Sequence, residues 1–140
     1  MARKAPVKKQ YTQEAAGVVE GLPGKLRRLE ELMQPIAARI EELAEAGLIY
    51  ATEYWRPNAA GEPRFMYLLY PIVPGEPRRR DYVGANPDRI AAARAAIERA
   101  NEYDQLMIRL GALNSCLSSV TAALSKATSL LDDPEPKRYW

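Results

Sequence analysis

Residues 48–87 read LIYATEYWRPNAAGEPRFMYLLYPIVPGEPRRRDYVGANP, and the fold is decided by a change of period within them. On both sides apolar residues recur every three or four positions. Here aromatic and branched residues run in short alternating stretches, LIYATEYWR, RFMYLLYPIV and RRRDYV, bounded by PNAAGEP, PGEP and GANP. Half-buried strands have a side-chain period of two, and turns collect Gly, Pro and Asn. The stretch therefore predicts three strands of an antiparallel meander. The tetrapeptide GEPR occurs twice, at 61–64 and 75–78. Gly61 and Gly75 suit positive φ, Pro63 and Pro77 stiffen the exit, and Arg64 and Arg78 open the next strands.

Upstream, GLPGKLRRLEELMQPIAARIEELAEAG carries Leu22, Leu26, Leu29, Met33, Ile36, Ile40 and Leu43 at alternating spacings of four and three. That is one stripe down a helix starting near Pro23 and ending before Gly47. Pro35 lies inside it and lacks a backbone donor, so a kink is expected there. TQEAAGVVE, from Thr12, offers at most a further helical turn, because Gly17 and Gly21 oppose it.

Downstream, Asn86, Pro87 and Asp88 are an N-cap, a first-turn proline and an acid at the positive end of a helix dipole. Nothing stops this helix before LLDDPEP. It is expected to run about 46 residues, or about 69 Å, against about 36 Å for residues 23–46. Between Gln105 and Leu131 only Arg109 and Lys126 are charged. A leucine stripe through Leu110, Leu113, Leu117, Val120, Leu124 and Leu131 then marks an oligomer interface. The alternative is a local hairpin turning at Gly111 or Asn114. The predicted fold class is α+β and predominantly helical: helix, three-stranded antiparallel meander, and a long C-terminal helix forming a coiled-coil-like bundle. Residues 1–11 are read as a disordered basic arm containing Arg3 to Lys9, 12–132 as one domain and 133–140 as a flexible tail.

Composition narrows the function. The chain of 140 residues has no histidine and one cysteine, Cys116. The commonest general base and metal ligand are missing, as is any Ser-His or Cys-His arrangement. No Gly-rich phosphate loop occurs. The carboxylates Glu30, Glu31, Glu41, Glu42 and Glu45 fall where an amphipathic helix is solvated. No enzymatic activity, no cofactor and no metal are expected, and Cys116 is expected to be buried as a small apolar residue. No run of 18 apolar residues marks a membrane span, and the start MARKAPVKKQ has no apolar segment behind its basic residues. A cytoplasmic protein without a membrane partner is the expectation.

The segment RFMYLLYPIVPGEPRRRDYVGANPDRIAAARAAIERA resembles the strand-turn-strand-helix of arm-type DNA-binding modules of phage and integron-like integrases, and short proteins of bacterial mobile elements. The likeness covers residues 48 to about 100. It implies a sheet that enters the DNA major groove, with Arg56, Arg64, Arg78 and Arg80 as contacts and Tyr67 and Tyr82 as supports. From strand alternation, Arg78, Arg80 and Tyr82 should share a face with Tyr67, Leu69 and Trp55, with Arg79 opposite. Two functions follow as expectations: a non-enzymatic DNA-binding or accessory protein of a plasmid, phage or transposon, or a protein-protein adaptor using its helices and aromatic sheet. In either case the chain is expected to form a homo-oligomer.

Overall fold

The computed structural model describes residues 10–137. Its elements are α1 (Gln13–Ala46), β1 (Thr52–Pro57), β2 (Pro63–Leu69), β3 (Arg80–Gly84) and α2 (Pro87–Asp132). The class is α+β and predominantly helical. The chain divides into two compact units between Pro35 and Ile36. The division falls at the proline, whose missing N–H leaves the Glu31 carbonyl without its helical donor.

In the first unit α1 starts ten residues before its expected origin and passes through Gly17, Gly21, Pro23 and Gly24 without a break. Leu22, Leu29 and Met33 are half-buried there, whereas Val18 and Val19 are exposed. The expected length mismatch with α2 shrinks accordingly: 34 residues stand against 46, a difference of about 18 Å. The proposed basic arm, Arg3 to Lys9, lies outside the described residues.

In the second unit the end of α1 is fastened to α2 by side chains. Arg99 donates from Nε to the Gly47 carbonyl (2.8 Å) and from Nη2 to the Ala46 carbonyl (3.2 Å). It thereby satisfies acceptors that a helix C-terminus leaves open. Arg39 and Glu102 form a two-pronged pair at 3.0 Å in each arm, and the Tyr50 hydroxyl donates to Asp104 at 2.8 Å.

The strands are ordered β1-β2-β3, all antiparallel. One face packs on the first turns of α2. Met66, Leu68, Val83 and Ala93 form the buried cluster, flanked by Ile49, Ala51, Trp55, Tyr70, Ile90 and Ile97. The buried residues of α2 are all alanines, Ala93, Ala96 and Ala100. Their small side chains let the chain before β1 approach closely enough for the Ile49 amide to donate to the Ala96 carbonyl (3.2 Å).

α2 begins as expected: the Asn86 side chain accepts from the Asp88 amide at 2.9 Å, with Pro87 at the first helical position. It then continues to Asp132 with no hairpin at Gly111 or Asn114. Beyond the sheet, Leu106, Leu110, Leu113, Leu117 and Val120 are half-buried, and Met107, Ile108, Leu124, Leu130 and Leu131 are exposed. Cys116 is exposed, contrary to its expected burial, because it is off the leucine stripe. By length and composition α2 is apolar enough to cross a membrane, with a window of mean hydropathy 1.2. Leu, Val and Ala raise that average, while the Ser, Thr and Asn residues among them interrupt the continuous apolar run sought in the sequence.

Two variants test this packing. Met66 has no exposed surface, so Met66→Ala should cost about 2–5 kcal/mol in chemical denaturation. A Cβ added at Gly21 would meet nothing within 4 Å. Gly21→Ala should therefore stabilise α1 by about 0.5–1 kcal/mol, read as a raised denaturation midpoint.

Candidate nucleic-acid interface on the open sheet face

Strand register assigns every side chain to a face. β1 and β2 pair Thr52 with Leu69, Tyr54 with Tyr67, and Arg56 with Phe65. β2 and β3 pair Leu69 with Arg80 and Tyr67 with Tyr82. The face away from α2 thus has a top row of Thr52, Leu69 and Arg80, and a middle row of Tyr54, Tyr67 and Tyr82. Arg56 and Phe65 lie below. Met66, Leu68 and Val83 occupy the other face, together with Glu53, Trp55 and Asp81.

The turns explain this phase. Asn58 Oδ1 accepts from the Ala60 and Glu62 amides, both at 3.0 Å, and Gly61 has a φ of 80°. A register shift between Arg56 and Pro57 accompanies this turn. In the second GEPR the Glu76 amide donates to the Val73 carbonyl (3.2 Å), and Gly75 has a φ of 81°. Both repeats are therefore turns at which glycine relieves backbone strain.

Several expected positions change. Trp55 faces α2, not the open side, and its place in the tyrosine row belongs to Tyr54, which sequence reasoning missed. Arg64 has the parity of Met66 and does not join Arg56. β2 ends at Leu69 and β3 begins at Arg80, so Arg78 does not open a strand. Pro71 cannot donate to a ladder, and the last contact between these strands is the Tyr70 amide on the Arg79 carbonyl (3.1 Å). Arg78 lies in the resulting loop, its Nε donating to the Tyr70 carbonyl at 2.9 Å. Arg79 lies over the Tyr70 ring at 4.2 Å and pairs with Asp81 at 3.0 Å. Of three consecutive arginines only Arg80 reaches the open face.

Among the described residues the face is aromatic, cationic and free of acids. The Tyr67 and Tyr82 ring centroids are 5.1 Å apart at an interplanar angle of 60°. The Arg56 and Arg80 guanidinium carbons lie 6.0 Å from the Tyr67 and Tyr54 centroids respectively. Neither arginine has a carboxylate partner among the described residues. Tyr54 and Tyr82 are 44% and 56% exposed. The Tyr82 ring also rests against Gly84, where an added Cβ would come 3.3 Å from its hydroxyl oxygen and where φ is 99°. The Gly of YVG is thus needed both for its backbone angle and for the place of the ring.

Electrostatics differ on the opposite face. Glu53 accepts from Arg94 Nε at 2.7 Å and from Trp55 Nε1 at 3.2 Å. The hydrogen bond from Arg94 holds its carboxyl below the ordinary value, against an opposing effect of desolvation. Asp81 is held by Arg79. Grooves of about 250 Å³ and 510 Å³ run beside α2, and neither takes in Tyr54, Tyr67 or Tyr82. Among the described residues no three acidic or thiol groups converge to hold a metal ion. The candidate site is therefore a surface, suited to an extended ligand.

No protein-family model, curated protein or solved structure matches the chain.

The Glu53–Arg94 pair gives a pH dependence of defined sign. A carboxylate whose folded pKa is depressed contributes stability above its unfolded pKa and loses it as pH falls through the folded value. Glu53→Gln should cost about 1 kcal/mol at pH 7. The gap from the wild type should close as pH falls below 4.5, as measured by urea denaturation at pH 7 and pH 3.

Proposed function

We propose that the chain is a non-enzymatic DNA-binding or accessory protein of a mobile genetic element, and that it meets nucleic acid with the open sheet face. One observation carries the reading. Arg56 and Arg80 lie among Tyr54, Tyr67 and Tyr82 on a face that holds no carboxylate among the described residues, while the sheet acids Glu53 and Asp81 are neutralised on the other side. Unpaired guanidinium groups beside aromatic rings have the chemistry to take phosphate and base together. The mobile-element context rests on the sequence resemblance of residues 48–100. Arg64 and Arg78 are secondary in this reading, since neither shares the face.

Salt dependence tests it. Each phosphate neutralised on duplex DNA contributes about −0.9 to the slope of log affinity against log salt. Arg56→Ala with Arg80→Ala should reduce that slope by about two, and Arg79→Ala should leave it nearly unchanged. Titrations of labelled DNA at three salt concentrations measure this. Absence of binding at 50 mM salt would instead favour an adaptor, whose protein partner would be lost on truncating Tyr54 or Tyr67.

Self-association through α2 belongs to the same proposal. Exposed Met107, Ile108, Leu124, Leu130 and Leu131 share a segment whose only charges are Arg109 and Lys126. The Thr121 and Thr128 hydroxyls donate to the Leu117 and Leu124 carbonyls (2.9 and 2.7 Å), so these two groups are satisfied within the helix. The interface would use Leu110, Leu113, Leu117, Val120, Leu124 and Leu131. Leu124→Asp should lower the mass found by sedimentation equilibrium, because association would bury an unpaired charge. A wild-type mass of one chain at micromolar concentration would remove self-association.

A further inference from the structure

From the tyrosine row we infer that the open face takes unpaired bases, and that its ligand is single-stranded nucleic acid, not the groove of a duplex. This deepens the reading of that face as a nucleic-acid surface and rests on it.

Groove readers identify bases through side chains that place two hydrogen-bonding atoms on a base edge, such as Arg, Lys, Asn, Gln and Glu. This face has Arg56 and Arg80 and none of the others. It has instead a row of three tyrosines, one on each strand and each directly opposite the next. In a duplex the flat faces of the bases are covered by their neighbours, so these rings would have nothing to stack on. In a single strand the base faces are free, and stacking on aromatic side chains is the main sequence-tolerant source of affinity.

Dimensions agree. Arg56 is on one edge strand and Arg80 on the other, four residues apart in register through Phe65 and Leu69. At about 3.3 Å per residue and about 4.8 Å per strand their backbone positions stand at opposite corners about 16 Å apart, with the tyrosine row between them. A strand laid along that diagonal passes over the rings, with an arginine side chain rooted near each end. The charge suits this ligand too. Two guanidinium groups are few for a duplex reader, for which six to ten phosphate contacts are common, but sufficient when stacking supplies the rest. In the unbound face each guanidinium lies over a tyrosine ring, Arg56 on Tyr67 and Arg80 on Tyr54, at 6.0 Å. At that exposure the contact is weak. A phosphate draws the arginine away and leaves the ring face for a base.

The test uses the full chain and one labelled sequence in four forms: a DNA strand, the equivalent RNA strand, the DNA duplex and the RNA duplex, at matched salt. Single strands should bind at least tenfold more tightly than the duplexes. Tyr54→Leu and Tyr82→Leu should each weaken single-strand binding by about five- to a hundredfold. Tyr54→Phe and Tyr82→Phe should bind like the wild type, because the ring remains. Circular dichroism melts of all four variants confirm that the sheet is intact, as both positions are exposed. Tighter binding of RNA than DNA supports the inference and makes RNA the ligand. Tighter binding of a duplex overturns it while leaving the nucleic-acid reading in place. Leu and Phe variants of equal affinity overturn it as well, and absence of binding in all four forms overturns both.

Discussion

Alanines on one side of α2 set the distance at which the rest of the second unit can approach: Ala93 lies in the cluster beneath the sheet, Ala96 offers its carbonyl to the chain before β1, and Ala100 is buried on the same side. With almost no side chain on the helix, Met66, Leu68 and Val83 reach its surface while the chain before β1 comes within hydrogen-bonding range of the Ala96 carbonyl. A larger residue at Ala93 would displace the sheet or force strained rotamers, since close-packed cores do not absorb added volume without cost. Once this face is taken, alternation along each strand leaves no freedom over the other. The tyrosines are outside because methionine, leucine and valine are inside.

Arginine is divided by role within this arrangement. Arg39, Arg94 and Arg99 hold secondary structure together, each with carboxylate or carbonyl acceptors on another element. Arg78 and Arg79 are occupied in and beside the loop before β3. Among the described residues Arg56 and Arg80 have neither kind of partner. A net charge of +2 conveys none of this, because it averages structural cations with unengaged ones. Charge on a face matters to a ligand only after internal pairs are set aside.

Sequence reading succeeded where local chemistry is decisive. Asn86-Pro87-Asp88 starts α2, and the two GEPR turns bound strands of the expected number and order. It failed where register decides. β1 carries an aromatic residue on each face, Tyr54 and Trp55, so alternation alone could not orient it. The choice was made by the Asn58 turn, the shift beside Pro57 and the hydrogen bonds of Glu53 to Arg94 and Trp55. The start of α1 is not legible in the sequence because Gly17, Gly21, Pro23 and Gly24 all disfavour helix, and their cost is visible there whereas whatever offsets it is not. The expected strand position of Arg78 depends on Pro71 belonging to a strand, and Pro71 lies beyond the end of β2.

The continuity of α2 ties two distant surfaces to one clock. A single helix carries both the alanines beneath the sheet and the exposed apolar residues beyond Met107, so the azimuth of one is fixed relative to the other at about 100° per residue. Inserting one residue between Tyr103 and Met107 would swing the distal surface by about 100° while moving it only about 1.5 Å. Inserting seven would move it about 10 Å and return it to within about 20° of its original phase. Angular position, far more than length, is what this helix keeps constant.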